Sequence, residues 1–201
     1  MNIIDLGLRD YQSVWDFQKQ KLLERIESKI PDTLIFVEHP HVITKGRRTS
    51  TEDIKTQDIM MFEIERGGKA TYHGPGQLVG YPIFELSASK LGIKKYICLL
   101  EKVLIGTLLD FGIQSVGCTG ATGVWVGSKK IASIGIAVKK WVSYHGFALN
   151  VNTDLTYFQK INPCGFESSV MTSMQEILQK PILLEDVKHR VVFHFNKIFK
   201  V

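Results

Sequence analysis

Four glycines fall within ten residues of "RGGKATYHGPGQ", residues 66 to 77, and no other segment restricts the fold of this chain as strongly. Glycine tolerates positive φ and lets another backbone or a ligand approach closely. The wider segment 61 to 86 reads as a strand, a Gly-Gly turn, a short strand, a Gly-Pro-Gly turn and another strand. Hairpin turns alone need fewer glycines than this. The run is therefore read either as tight turns or as a backbone-lined slot for an extended, mostly apolar ligand. A phosphate-binding loop is excluded, because GxxxxGK[ST] needs a glycine where Glu63 stands and Ser or Thr where Ala70 stands.

Around this segment the pattern mixes helices and strands without regular alternation. Val14, Phe17, Leu22 and Ile26 predict a helix over 11 to 28, with Asp10 as its N-cap. β-branched residues predict strands at 33 to 39 and 41 to 46, two strands or one strand broken at Pro40. Residues 47 to 58 read as a loop. Ile93, Ile97, Leu100, Leu104 and Leu108 predict a helix over 93 to 111, with Cys98 inside its apolar block and so in the core. Residues 113 to 151 read as β-rich, with turns at 118 to 123 and 127 to 130. Their clearest strand is "KIASIGIAV", which puts Ala132, Ile134, Ile136 and Val138 on one face and leaves a nearly bare face at Ser133, Gly135 and Ala137. Further helices are predicted at 172 to 179 and 184 to 199. The class is α+β, in one domain over 1 to 201, because no linker or repeat divides the chain.

The N-terminus lacks the pattern of a secretory signal, and no apolar run has the length of a membrane span, so a cytoplasmic, membrane-free protein is expected. Cys98, Cys118 and Cys164 form no CxxC pair, which fits a reducing compartment. The net charge of +5 favours an acidic partner. Its basic residues come in short groups such as "KGRR" at 45 to 48, without a nucleic-acid module, so no nucleic acid is expected.

The histidines include no HExxH, and "HPH" at 39 to 41 has no further ligand set nearby, so no metal is expected. His189 and His194 fall on the last helix, in solvated or capping roles. Ser133 is not a hydrolase nucleophile, since Ile131 occupies the first glycine position of G-x-S-x-G. Cys164 lies between Pro163 and Gly165, in a bend where a side chain has little to pack against. A thiol is a nucleophile only when a neighbour stabilises the thiolate or takes its proton. His73 and His145 are available for that, as is Lys130, whereas Lys129 lies in the turn. By parity Lys130 shares the apolar face of its strand, where an amine loses its charge more readily. A lysine at a strand start is ordinarily solvated, however, and the residues alone favour that ordinary role.

"VEHPHVITKGRR" (37 to 48), "RGGKATYHGPGQLVGYPI" (66 to 83), "GVWVGSKKIASIGIAV" (123 to 138), "YHGFALNVNTDL" (144 to 155) and "INPCGF" (161 to 166) together resemble the octanoyltransferase family of protein lipoylation. The matches run in family order along nearly the whole chain. The resemblance implies the catalytic-core fold of biotin and lipoate protein ligases, a mixed β-sheet flanked by helices. It implies transfer of octanoyl from acyl carrier protein to a lysine of lipoyl domains, those of 2-oxoacid dehydrogenase complexes and of the glycine cleavage H protein. Cys164 would be the acyl-accepting nucleophile, and Lys130 the partner that lowers the thiol pKa and acts as general base and acid. The doublet at 129 and 130 leaves a one-residue ambiguity in that match. The substrate-binding stretches would be Arg66, Gly67, Gly68, Lys69, Ala70, Thr71, Tyr72 and His73; Ser133, Ile134 and Gly135; and Gly146, Phe147 and Ala148. No cofactor is implied, and a monomer is expected. Two rivals remain: an ATP-dependent ligase on the same fold, which needs a phosphate-binding lysine and no PCG cysteine, and a binding module that kept the slot without turnover.

Overall fold

The computed structural model describes residues 1–87, 92–117 and 122–200. Cys118 and most of the turn expected at 118 to 123 lie outside the described residues. The chain opens with β1 (Asn2–Leu8) and α1 (Tyr11–Ile26), continues with β2 (Thr33–Glu38), β3 (Val42–Lys45), β4 (Met61–Glu63), β5 (Thr71–His73) and β6 (Gln77–Ile83), and reaches α2 (Ile93–Asp110). It then forms β7 (Val116–Gly117), β8 (Val124–Val126), β9 (Lys129–Lys139) and β10 (Val142–Asn150), and ends in α3 (Met174–Leu178) and α4 (Leu184–Phe199).

Seven strands form one mixed sheet in the order β1-β2-β6-β10-β9-β8-β7, and a small sheet has the order β4-β3-β5. In the large sheet β1 runs parallel to β2 and the remaining pairs are antiparallel. Pro40 separates strands of two different sheets. It lacks the N–H a ladder needs, and the chain leaves β2 of the large sheet there to enter β3 of the small one. Two apolar layers sandwich the large sheet. Leu100, Leu104 and Leu108 of α2 and Val187, Val191 and Phe195 of α4 cover one face, while Val14 and Leu22 of α1 pack on Val37, Val79 and Tyr81 of the other.

Local chemistry sets most element ends. The Asp10 side chain accepts from the Ser13 amide at 2.9 Å and starts α1, which stops two residues short of the expected end, with Ser28 left-handed at φ 57°. The core stripe of α2 is Tyr96, Leu100, Val103, Leu104 and Leu108, leaving Ile93 exposed. Cys98 is exposed as well, against the expectation that it is core. It follows Tyr96 by two residues, about 200° around the helix, on the side away from the sheet. The turn expected at 127 to 130 is tighter than that, because both Lys129 and Lys130 belong to β9.

β10 bends where it meets Pro82 of β6. Its ladder to β6 ends at Phe147 and Gly80, and the next residue has to be glycine, because a Cβ at Gly146 would lie 2.1 Å from Gly80 O and 2.6 Å from Pro82 Cδ. The Ser143 hydroxyl bridges the gap by donating to Pro82 O at 2.8 Å and accepting from Phe84 N at 3.2 Å. Between these points His145 is left-handed at φ 56°. Such a distortion re-aims a side chain.

Candidate active site

Alternation along β9 sends its first two lysines in opposite directions. Lys129 is exposed, whereas Lys130 is only 1% exposed, so the solvated role favoured for a strand-start lysine does not hold for Lys130. Its Nζ donates to Thr122 O at 2.9 Å and lies 5.5 Å from the ring centroid of Trp125 and 5.7 Å from that of Phe166. The two rings meet edge to face at 5.4 Å. Ring faces attract a cation, and here they replace much of the water that burial removes. The lysine backbone is fixed too, because Thr172 N donates to Lys130 O at 3.0 Å.

Phe166 directly follows the turn Pro163–Gly165, a single 3-10 turn with Pro163 at its first position and Cys164 at its centre. Proline suits that position, where no amide partner is needed. Asn162 anchors the turn, its amide donating to Asp53 O at 2.9 Å and its side-chain Nδ2 to Glu52 O at 3.1 Å. Gly165 is left-handed at φ 82°, and a Cβ on it would lie 3.0 Å from Lys69 Cδ. Lys69 is paired with Asp53 at 3.0 Å. Burial alone would raise the Asp53 carboxyl, but the Ser50 amide and the Lys69 ammonium hold it below the usual range.

A narrow cavity of about 40 Å³ opens between the loop 66–68 and strands β9 and β10. Of the expected substrate-binding residues, Arg66, Gly67, Gly68, Thr71, His73, Ser133, Ile134, Gly135, Gly146, Phe147 and Ala148 line it. Lys69, Ala70 and Tyr72 do not. Lys69 braces the Cys164 turn, Ala70 is fully buried, and Tyr72 packs in a separate core, where its hydroxyl meets His41 Nδ1 at 2.7 Å. The loop crosses β9 at Gly135, where Gly67 N donates to Ile136 O at 3.0 Å. A wider groove of about 920 Å³, bordered by Lys45, Arg47, Lys55, Glu63 and Glu65, contains none of the expected site residues.

Polar side chains that pattern reading had left unconnected brace the slot. Arg66 donates to Thr44 O at 2.8 Å, to Thr44 Oγ1 at 3.0 Å and to Lys69 O at 2.8 Å. His73 is committed to Gln77, with Nδ1 2.7 Å from Oε1, and burial pushes it down to about 3. His39 Nδ1–H donates to Arg9 O at 2.8 Å, which leaves Nε2 to accept from the Tyr81 hydroxyl at 2.9 Å; burial takes this ring down to about 4. His145, 2% exposed and also lowered by burial, meets Glu65 at 3.3 Å through Nε2. The bonds from His145 and Trp15 hold the Glu65 carboxyl down at about 2. Both histidines considered as partners for Cys164 are thus engaged elsewhere. His194 meets Asp110 at 2.9 Å, while His189 stays in solvent beside Glu185. Trp125, Phe166 and Asp53 were not anticipated, since their placement depends on long-range packing.

A mixed sheet with a slot under its glycine loop defines the class. Residues 10–196 match the family described as "Lipoyl protein ligase A/B catalytic domain". The fold is that of the biotin and lipoate protein ligase catalytic core. A crystal structure of lipoate-protein ligase A bound with ATP superposes with a TM-score of 0.80 at 16% identity, covering 99% of this chain and 85% of that one. Biotin protein ligase from Aquifex aeolicus superposes at 0.59 and 14% identity, over 100% of this chain and 69% of that one. Within this class the chain belongs to the octanoyltransferases of protein lipoylation. It is 48% identical to the octanoyltransferase of Caldicellulosiruptor bescii over 99% of this chain and 91% of that protein, and 44% identical to that of Syntrophobacter fumaroxidans over 98% and 90%.

Proposed function

We propose that the enzyme moves octanoyl in two steps, from the thioester of acyl carrier protein to Cys164, and from Cys164 to a lysine amine of a lipoyl domain. The observation that carries this reading is the buried Lys130 Nζ held against the ring of Phe166, two residues after Cys164 and directly after its turn. Lys130 takes the proton of the thiol, and the thiolate attacks the thioester carbonyl carbon. The tetrahedral intermediate collapses with cleavage of the carrier C–S bond, and the carrier sulfur leaves as a thiol with the proton from Lys130. In the second step the acceptor amine attacks the acyl-enzyme and gives its proton to Lys130. The amide forms and Cys164 is released as a thiol. Exchange of one thioester for another is nearly isoenergetic, so the first step needs no ATP. Amides of the turn at Cys164 or of Gly67 and Gly68 are the candidates for holding the oxyanion.

Glycines at 67, 68, 135 and 146 leave backbone as the wall of the slot, which suits an extended alkyl chain. The cavity is small beside ordinary ligand sites of about 300 Å³ or more, so the chain spreads these walls as it enters. Arg47 and Arg48 are exposed, and their amides donate to Arg66 O and Gly68 O of the slot's glycine loop, each at 3.1 Å. A basic rim in that position suits acidic acyl carrier protein and lipoyl domains. The lipoyl domains of 2-oxoacid dehydrogenase complexes and the glycine cleavage H protein are the proposed acceptors. The test is the intact mass of the protein after mixing with octanoyl acyl carrier protein without ATP, alongside Cys164→Ala. One octanoyl adduct, removed by hydroxylamine and missing from the variant, is expected. Absence of an adduct from both proteins would refute the acyl-enzyme.

A further inference from the structure

Glu101 belongs neither to the slot nor to the Cys164–Lys130 pair. It sits within α2, 8% exposed and next to the core residue Leu100, a costly place for a carboxylate unless its oxygens are bonded. Its Oε1 accepts from Gly123 N at 3.0 Å. The other end of the same peptide unit, Thr122 O, accepts from Lys130 Nζ at 2.9 Å. One peptide group thus has a carboxylate on its N–H and the lysine on its carbonyl. Hydrogen bonds in such a chain polarise one another, and an anion at the N–H end makes the carbonyl oxygen a stronger acceptor.

The residue at 123 serves the same arrangement. Gly123 has φ 135°, and a Cβ there would lie 2.5 Å from Ala132 O and 2.6 Å from Lys130 Cε. Any side chain would push the peptide off the lysine. The second carboxylate oxygen is packed as well, 2.8 Å from where a Cβ at Gly117 would stand. Helix α2 thereby reaches the lysine through a single peptide, across the strands β7 and β8.

We propose that Glu101 is a positioning residue: it fixes the Thr122–Gly123 peptide so that its carbonyl holds Lys130 Nζ in place beside the Cys164 turn. This rests on the roles of Cys164 and Lys130 given above. A carboxylate that only satisfied the Gly123 amide would stabilise the fold equally with or without Lys130. A double-mutant cycle separates the two roles, because residues that act through one another are not additive.

The cycle comprises Glu101→Leu, Glu101→Gln, Lys130→Ala and the two combinations, each in the full chain and each shown to be folded by its thermal midpoint. Two rates are read: alkylation of Cys164 by iodoacetamide at neutral pH, followed by mass, and octanoyl transfer from the carrier. Glu101→Leu is expected to slow both by about tenfold, with kcat falling and KM for the donor unchanged, as loss of a charge-assisted contact implies. Glu101→Gln keeps an acceptor oxygen and recovers part of the loss; it carries the cycle if the leucine variant does not fold. In the Lys130→Ala background either change should cost less than about twofold. Unchanged rates in a folded Glu101 variant, or a loss of the same size without Lys130, would overturn the positioning role. Lys130→Ala alone reports on the earlier reading: if it slows neither rate, the pair itself is wrong.

Discussion

At the scale of the residue, the proposed chemistry turns on which lysine of a doublet points inward. Parity along β9 places Lys130 with Ala132 and Ile134, and that much is legible in the sequence. Burial of a cationic side chain is not legible there, because its cost is met by Trp125, Phe166 and the Thr122 carbonyl, which the chain brings together only after folding. If Lys130 is the proposed partner of Cys164, its loss lets the thiol drift toward its free value near 8.5, so Lys130→Ala should slow alkylation of Cys164 at neutral pH by roughly tenfold or more. Lys129→Ala, at an exposed position, should leave the rate unchanged. The opposite pattern would move the general base to Lys129.

At the scale of the element, the slot exists because a loop crosses a strand that lacks a side chain at the crossing. A Cβ on Gly135 would lie 3.0 Å from Arg66 Cδ and 3.2 Å from Gly67 O. Gly135→Val would therefore push the loop away or fill the slot, at about 1–3 kcal/mol of strain. Formation of the octanoyl adduct should fall by about tenfold or more, a loss of about 1.4 kcal/mol or more in transition-state binding. Alkylation of Cys164 by the much smaller iodoacetamide should persist. If both rates fell together, the valine would be acting on the Cys164 turn rather than on the slot. The bare face of β9 and the glycine turns were readable because period-two alternation and turn chemistry are local. The left-handed backbone at His145 was not, because the Pro82 ring that crowds the adjoining Gly146 comes from a neighbouring strand far away in sequence. Cys98 was misplaced for a related reason: an apolar neighbourhood along a helix does not say which side meets the sheet.

At the scale of the whole molecule, α+β mixing could be read from the order of elements, but the division into two sheets at Pro40 and the buried network between them could not. That network carries three histidines, His39, His73 and His145, all lowered by burial, the first two to about 4 and about 3. In the unfolded chain each titrates near 6.5. As pH falls below about 6.5, the unfolded state binds protons that the native state does not, so unfolding becomes easier on acidification. Each histidine contributes a slope of up to about 1.4 kcal/mol per pH unit until its native ring protonates. Glu65, held at about 2, adds to the loss only once pH drops below the ordinary carboxylate range, because its folded value is depressed and its stabilisation exists above the unfolded one. Urea unfolding from pH 7 to pH 5 should therefore show stability falling mainly below about 6.5, ahead of any carboxylate contribution. His73→Gln, which cannot take up a proton, should remove one histidine's share of that slope even if it lowers stability at every pH. A flat profile between pH 6.5 and 5 would mean that the three rings take up protons in the folded protein as readily as in the unfolded chain.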